Sequence, residues 1–167
     1  MQRISIISAM SENHVIGVNN ALPWSLPEDW ENFRKVTRGK AFLMGRNSYE
    51  SPDALVSDYR NVVLSSRTNW PSIPKVQFAQ SVKEAFNLLK DEQEFFILGG
   101  AAVFEQTLHL ANYLYLTIVH HEFEGDAFFP SINWKKWQLV KSRKVAVDEK
   151  HAYSFSLNEY KRVLSLP

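Results

Sequence analysis

The chain contains no cysteine. That excludes disulfides, thiolate metal sites and a cysteine nucleophile, and it fits a reducing cytoplasm. No run approaches the roughly 20 apolar residues that span a bilayer, so no membrane association is expected. The short apolar stretch in MQRISIISAMSENHVIG gives way to polar residues too soon for a signal peptide and reads as a buried first strand. Charge of one sign is hardly in excess, with 19 Lys+Arg against 18 Asp+Glu. That leaves no basic surplus for a polyanion, so nucleic acid is not an expected partner. The histidines at 14, 109, 120, 121 and 151 have no metal-ligand spacing, and no metal is expected. G-x-G-x-x-G, G-x-S-x-G and H-E-x-x-H are all missing. So are internal repeats, low-complexity tracts and a Pro/Gly/Ser linker. The 167 residues suit one domain around one core.

What is present alternates. Arg3 to Met10, Ala41 to Gly45, Asn61 to Ser65, Lys75 to Ala79, Glu94 to Leu98 and Tyr113 to His121 read as strands, several of them nearly continuous apolar runs. Leu26 to Arg38, Asn47 to Ala54, Ser81 to Lys90 and Ala101 to Leu110 read as helices, with Ser81 and Glu84 forming a capping box. Ser11 to Ser25 reads as one long loop. The alternation in HAYSFSLNEY suggests a closing antiparallel hairpin. Buried strands alternating with helices predict an α/β fold with a largely parallel sheet covered on both faces. Ligands then bind at the C-terminal ends of its strands.

One acid falls on the greasy side. With Ser25 as N-cap and Pro27 in the first turn, Glu28 takes the capping-box position. Advancing about 100° per residue gathers Leu26, Trp30, Phe33, Val36 and Thr37 on one face, with Asp29 among them. Glu28, Glu31, Asn32, Arg34, Lys35 and Arg38 spread over the other side. A buried carboxylate must meet a donor, meet a cation or take a proton. Asp29 is therefore either a first-turn acid at the wet rim, favoured by the helix dipole, or a pocket acid that binds a ligand with neighbouring N–H donors.

Three strand ends suit phosphate. Met44-Gly45-Arg46-Asn47-Ser48 leaves a strand and enters a helix. Leu64-Ser65-Ser66-Arg67 offers two hydroxyls and a cation. Leu98-Gly99-Gly100-Ala101-Ala102-Val103-Phe104 lets backbone approach a pyrophosphate closely. Together they suggest an extended phosphorylated cofactor, with Arg46 and Arg67 suiting an extra phosphate such as the 2′-phosphate of NADP.

In order and spacing, the segments VIGVNNALPWSLPEDWENFRKVT, FLMGRNSYES, NVVLSS, FFILGGAAVFEQTL, LYLTIV, EGDAFFP and HAYSFSL resemble dihydrofolate reductases over nearly the whole chain. The resemblance implies one domain with a central eight-stranded, mostly parallel mixed sheet, four flanking helices and a C-terminal antiparallel hairpin. It implies NADPH-dependent reduction of 7,8-dihydrofolate to 5,6,7,8-tetrahydrofolate. A hydride would pass from nicotinamide C4 to pterin C6, with protonation at N5. Asp29 would be the pterin-binding acid, Thr117 would bond it directly or through water, and Leu22 would tip a mobile lid, Ser11 to Trp24, over the nicotinamide. Asp126 would support that lid.

The same resemblance puts Ile7, Ser8, Phe33, Ser51, Pro52, Leu98 and Thr117 along the substrate. Ala9, Val15, Ile16, Gly17, Asn20, Ala21, Leu22, Gly45, Arg46, Asn47 and Ser48 would meet the cofactor, as would Leu64, Ser65, Ser66, Arg67, Gly99, Gly100, Ala101, Ala102, Val103, Phe104 and Gln106. The Gly99–Gly100 peptide matches a cis bond of the family. Where the family has an arginine for the substrate's glutamate, this chain has Tyr59 followed by Arg60, so Arg60 serves if the strand start shifts by one residue. A monomer in the cytoplasm is expected. Two other readings share the frame: a reductase of a related pterin or a ribosylated pyrimidine, and a non-catalytic pterin or nucleotide binder.

Overall fold

The computed structural model describes residues 1–163. Its core is an eight-stranded sheet in the order β5-β4-β3-β6-β1-β7-β10-β9. The strands are β1 (Arg3–Ser11), β3 (Ala41–Gly45), β4 (Arg60–Leu64), β5 (Val76–Ala79), β6 (Glu94–Ile97), β7 (Tyr113–Val119), β9 (Trp137–Val145) and β10 (Phe155–Arg162). The pairs from β5 through to β7 are parallel. β10 runs antiparallel to both β7 and β9, closing the sheet with the expected hairpin.

Alternation splits the core between two faces. Ile6, Leu43, Val62, Phe95 and Leu114 pack on one side, where α3 (Val82–Leu88) and α4 (Ala101–Thr107) lie. Ile7, Phe42, Met44, Val63 and Phe96 pack on the other. There they meet Phe33 and Val36 of α1 (Pro27–Thr37) and Tyr49 of α2 (Arg46–Glu50). β3 is buried throughout, which explains its unbroken apolar sequence. The chain passes from β1 to β3 and returns through β6 into the gap between them. This reversal opens a crevice at the strands' C-terminal ends.

Three boundaries differ from the sequence reading. The Ser11–Ser25 loop contains a short strand, β2 (Val15–Gly17), paired with β8 (Ala127–Phe128). α2 stops at Glu50 because Pro52 forces Ser51 into extended backbone (φ −63°, ψ 144°). α1 is not capped by Ser25. Leu26 holds the cap position and no side-chain cap bond forms. The Glu28 carboxylate pairs instead with Arg143 of β9 at 2.7 Å, so a tertiary partner displaces the local capping box. The capping box at α3 does form, with Ser81 Oγ accepting from the Glu84 N–H at 3.0 Å. No described helix is long and apolar enough to cross a membrane.

Candidate active site

A cleft of about 2000 Å³ opens over the C-terminal ends of β1, β3, β4 and β6. That exceeds the roughly 300–1,000 Å³ of a pocket for one small ligand. One end is walled by α1 and β7, the other by the turns after β3, β4 and β6.

Asp29 stands at the α1 end of the cleft, in the first turn of the helix. Its Oδ1 accepts from the Thr117 hydroxyl at 2.7 Å. Thr117 is buried on β7, in register with Ala9 of β1. The residue keeps some contact with the open cleft, but its carboxyl lies among packed atoms. Burial therefore raises its pKa from the ordinary 3.8, and the Thr117 bond opposes the rise. This arrangement favours the pocket acid over the wet first-turn acid. Beside it, Trp24 is 8 % exposed, packs on Phe123, and lines the cleft. Its buried indole N–H has no partner among the described residues. A buried donor without an acceptor on a pocket wall calls for a ligand atom or a water.

At the other end the backbone is bare. Gly45 N–H donates to Gly99 O at 2.8 Å, tying the ends of β3 and β6 together. The Gly99–Gly100 peptide is cis. A Cβ on Gly45 would meet Val103 Cγ2 at 3.0 Å, while Gly100 faces Ser48 Oγ with ordinary room. Leu64, Ser65, Ser66, Gln80 and Ser81 continue this wall. The Ser11–Trp24 segment borders the cleft between the two ends. β2 and β8 pin its base, Asn19 N–H donates to Asp126 Oδ2 at 2.9 Å, and Leu22 is 40 % exposed at the cleft edge.

Most of the expected residues line this cleft, from Ile7, Ser8 and Ala9 through Gly45–Ser48 to Gly100–Phe104, Gln106 and Thr117. Five do not. Val15 is fully buried beneath the lid, facing Phe128 in the β2–β8 pair. Pro52 lies exposed outside the cleft wall. Gly99 is buried behind Gly100 and contributes only its carbonyl to Gly45. Arg67 turns back over the Trp70 ring, 4.5 Å from its centroid, with Nε on Asn69. Arg60 points to the far side, where it bonds Gln77, Glu92 and the Leu88 carbonyl. Tyr59 also reaches Glu92, at 2.7 Å. No shift of the strand start brings either residue to the cleft.

Cations do border the cleft elsewhere. Arg34 and Lys35 of α1 and Arg38 just beyond its end, all exposed, line the rim. None has an acidic partner among the described residues. The sequence reading placed them on the side of α1 away from its apolar face and gave them no role. It also passed over Trp24, whose only signal was its place between Pro23 and Pro27.

Comparison with known proteins bears on this geometry. A family model described as "Dihydrofolate reductase" matches residues 3–162. The dihydrofolate reductase of Staphylococcus haemolyticus is 37 % identical over 161 residues, covering 96 % of each chain. That of Bacillus subtilis is 35 % identical over 159 residues, covering 95 % of this chain and 94 % of the relative. A solved dihydrofolate reductase from Enterococcus faecalis, complexed with NADP(H) and RAB-propyl, superimposes with a TM-score of 0.86 at 31 % identity, covering 96 % of each chain.

Proposed function

The chain belongs to the dihydrofolate reductase family, and from that premise we propose that it reduces 7,8-dihydrofolate to 5,6,7,8-tetrahydrofolate with NADPH. The observation that carries the reading is the buried Asp29 carboxylate, held by Thr117 at 2.7 Å on the cleft wall. NADPH, when bound, would supply a hydride from nicotinamide C4 to pterin C6.

The chain's own residues do the rest. Asp29 accepts from the pterin 2-amino group and the N3 side, a paired charge-assisted contact. Thr117 occupies one lone pair of Oδ1 and so fixes the plane in which the carboxylate receives the heterocycle. The raised pKa lets Asp29 share a proton nearer neutrality than an ordinary aspartate does. The Trp24 N–H, without a partner among the described residues, suits a substrate oxygen or a bridging water. Ile7 and Phe33 flank the ring. Gly45 to Ser48, Ser65, Ser66 and Gly100 to Gln106 suit the cofactor, because the paired glycine backbones leave the strand ends open to a pyrophosphate. Leu22 and the lid exclude water from the reacting atoms.

The direct test mixes purified protein with NADPH and dihydrofolate and follows nicotinamide absorbance. Absence of oxidation removes the reading, and reduction of a ribosylated pyrimidine in its place supports the pyrimidine alternative.

The position of Arg60 favours one variant of this reading, a pterin substrate without an acidic tail. Against it stand Arg34, Lys35 and Arg38, which line the rim without an acidic partner among the described residues and suit the two carboxylates of a glutamate tail. Replacing all three by Gln is expected to raise KM for dihydrofolate about threefold to tenfold, the size of a few screened surface contacts. Wild-type KM is expected to rise with salt. Equal KM for dihydrofolate and a dihydropterin lacking glutamate would establish the tailless variant.

Asp126→Ala removes the acceptor of the Asn19 N–H. It is expected to speed amide hydrogen exchange at Asn19 and lower kcat/KM by up to about tenfold, the worth of one exposed charged hydrogen bond. Unchanged exchange at Asn19 would remove Asp126 as a lid support.

A further inference from the structure

α1 begins without a cap of its own. Leu26 stands at the cap position and Pro27 follows in the first turn, where it has no N–H to offer. The first free donor is therefore the Glu28 N–H. It is taken by Nε2 of His151, 3.2 Å away and 123 residues further along the chain. An imidazole nitrogen that accepts from a backbone N–H is bare, so the ring proton sits on Nδ1. Nδ1 in turn donates to Asp148 Oδ1 at 2.8 Å. That oxygen also accepts from the backbone N–H groups of Lys150, at 2.9 Å, and His151, at 2.8 Å. These bonds fix Asp148 and, through it, the tautomer.

The ring is 3 % exposed and packs on Phe155, with centroids 5.3 Å apart. A buried imidazole held at both nitrogens is a stiff strut. Here it runs from the loop between β9 and β10 to the first turn of α1. The next residue of that turn is Asp29. Of the other ties at this turn, Glu28 to Arg143 has both side chains partly in solvent and is weakened by salt, and Thr117 holds the Asp29 carboxylate itself. His151 does not line the cleft and acts only through α1.

We infer that His151 is a positioning residue: the Asp148–His151 pair caps α1 from across the fold and sets the height of its first turn, so that Asp29 meets Thr117 and faces the substrate. The inference rests on the reading of Asp29 as the substrate-holding acid.

Two substitutions at this position test it. His151→Leu keeps much of the volume and removes both ring nitrogens. His151→Gln can place an amide oxygen where Nε2 accepts. His151→Leu is expected to raise KM for dihydrofolate about tenfold, the order of losing one helix-capping acceptor, with a smaller change in kcat. In ligand-free protein it is expected to move the Glu28 amide resonance and the carboxyl titration of Asp29, both read by NMR. His151→Gln is expected to restore most of each effect. Asp148→Asn, which leaves the ring in place, is expected to shift the same readouts less, and it serves if His151→Leu fails to fold.

A His151→Leu protein with a lowered melting temperature but wild-type Glu28 resonance, Asp29 titration and KM would overturn the inference. So would a His151→Gln protein as impaired as His151→Leu. If wild type does not reduce dihydrofolate at all, the proposed reaction falls with the KM measurement, and the ligand-free NMR still decides whether the strut positions Asp29.

Discussion

Asp29→Asn is expected to lower kcat/KM for dihydrofolate by roughly 10²- to 10⁴-fold at neutral pH, the range spanned by a positioned acid–base group. The substitution is close to isosteric. An asparagine oxygen can still accept from Thr117 Oγ1, now at 2.7 Å from Asp29, so the local packing survives. What changes faces the cleft. One carboxylate oxygen becomes an NH₂ donor pointed at pterin N–H donors, the negative charge disappears, and no group remains that can hold and release a proton. NADPH binding, at the opposite end of the cleft, is expected to stay near wild type. Stopped-flow hydride transfer and NADPH fluorescence titration separate the two effects. Undiminished turnover in the variant removes the role given to Asp29.

The same substitution is expected to stabilise the fold. Burial raises the folded-state pKa of Asp29 above the ordinary 3.8, so the folded protein binds that proton more tightly than the unfolded chain. Stability then falls as pH rises through the window between 3.8 and the raised value. Above that window the full cost of a buried charge is present, and below 3.8 none of it remains. Asparagine carries no such cost. At pH 7 the variant's melting temperature is expected to exceed wild type by about 2–4 °C for each kcal/mol of relieved desolvation. The gap is expected to close as the pH drops below the ordinary carboxylate value. A gap that is constant with pH would mean that burial of the charge is not its source.

The sheet could be read from sequence because its inner strands are buried on both faces and so carry mostly apolar runs, unbroken in β3 and interrupted by only a few polar residues in β1 and β7. Asp29 could be read because helical periodicity is a local property. What could not be read depends on partners far along the chain. Ser25 and Glu28 make a sound local capping box, yet Arg143 and His151 claim Glu28 from 115 and 123 residues away. Arg60 is assigned to the cleft by alignment alone, but Gln77 and Glu92 draw it to the other face. Trp24 counts as apolar in any periodicity, and its indole N–H matters only once its surroundings offer no acceptor. Arg34, Lys35 and Arg38 do lie on the outer side of α1 as the period requires. They reach the site because the cleft is wide enough for that edge to form its rim.

Gly99→Ala is expected to be the most damaging single change at the cofactor end. Gly99 sits at φ +110°, a backbone region that residues with a Cβ enter only at a cost of about 1–3 kcal/mol. The added Cβ would also lie 3.0 Å from Cε2 and Cζ of Phe104. That ring cannot simply swing away, because it is 1 % exposed and packs on Phe129, with centroids 4.9 Å apart. Strain and overpacking therefore add, for an expected loss of about 2–4 kcal/mol and a melting temperature lower by roughly 4–16 °C. The Gly99 carbonyl holds the Gly45 N–H at 2.8 Å, so any backbone relief at Gly99 shifts both glycine turns on the cleft wall. NADPH affinity is expected to fall about tenfold or more, which an energy of about 1.4 kcal/mol suffices to produce. Gly100→Ala supplies the contrast. Its Cβ would stand 3.6 Å from Ser48 Oγ at ordinary contact distance, so its stability loss is expected to be the smaller of the two while its effect on NADPH persists. A Gly99→Ala protein that melts with wild type and binds NADPH equally well would mean that the paired glycines do not shape the cofactor wall.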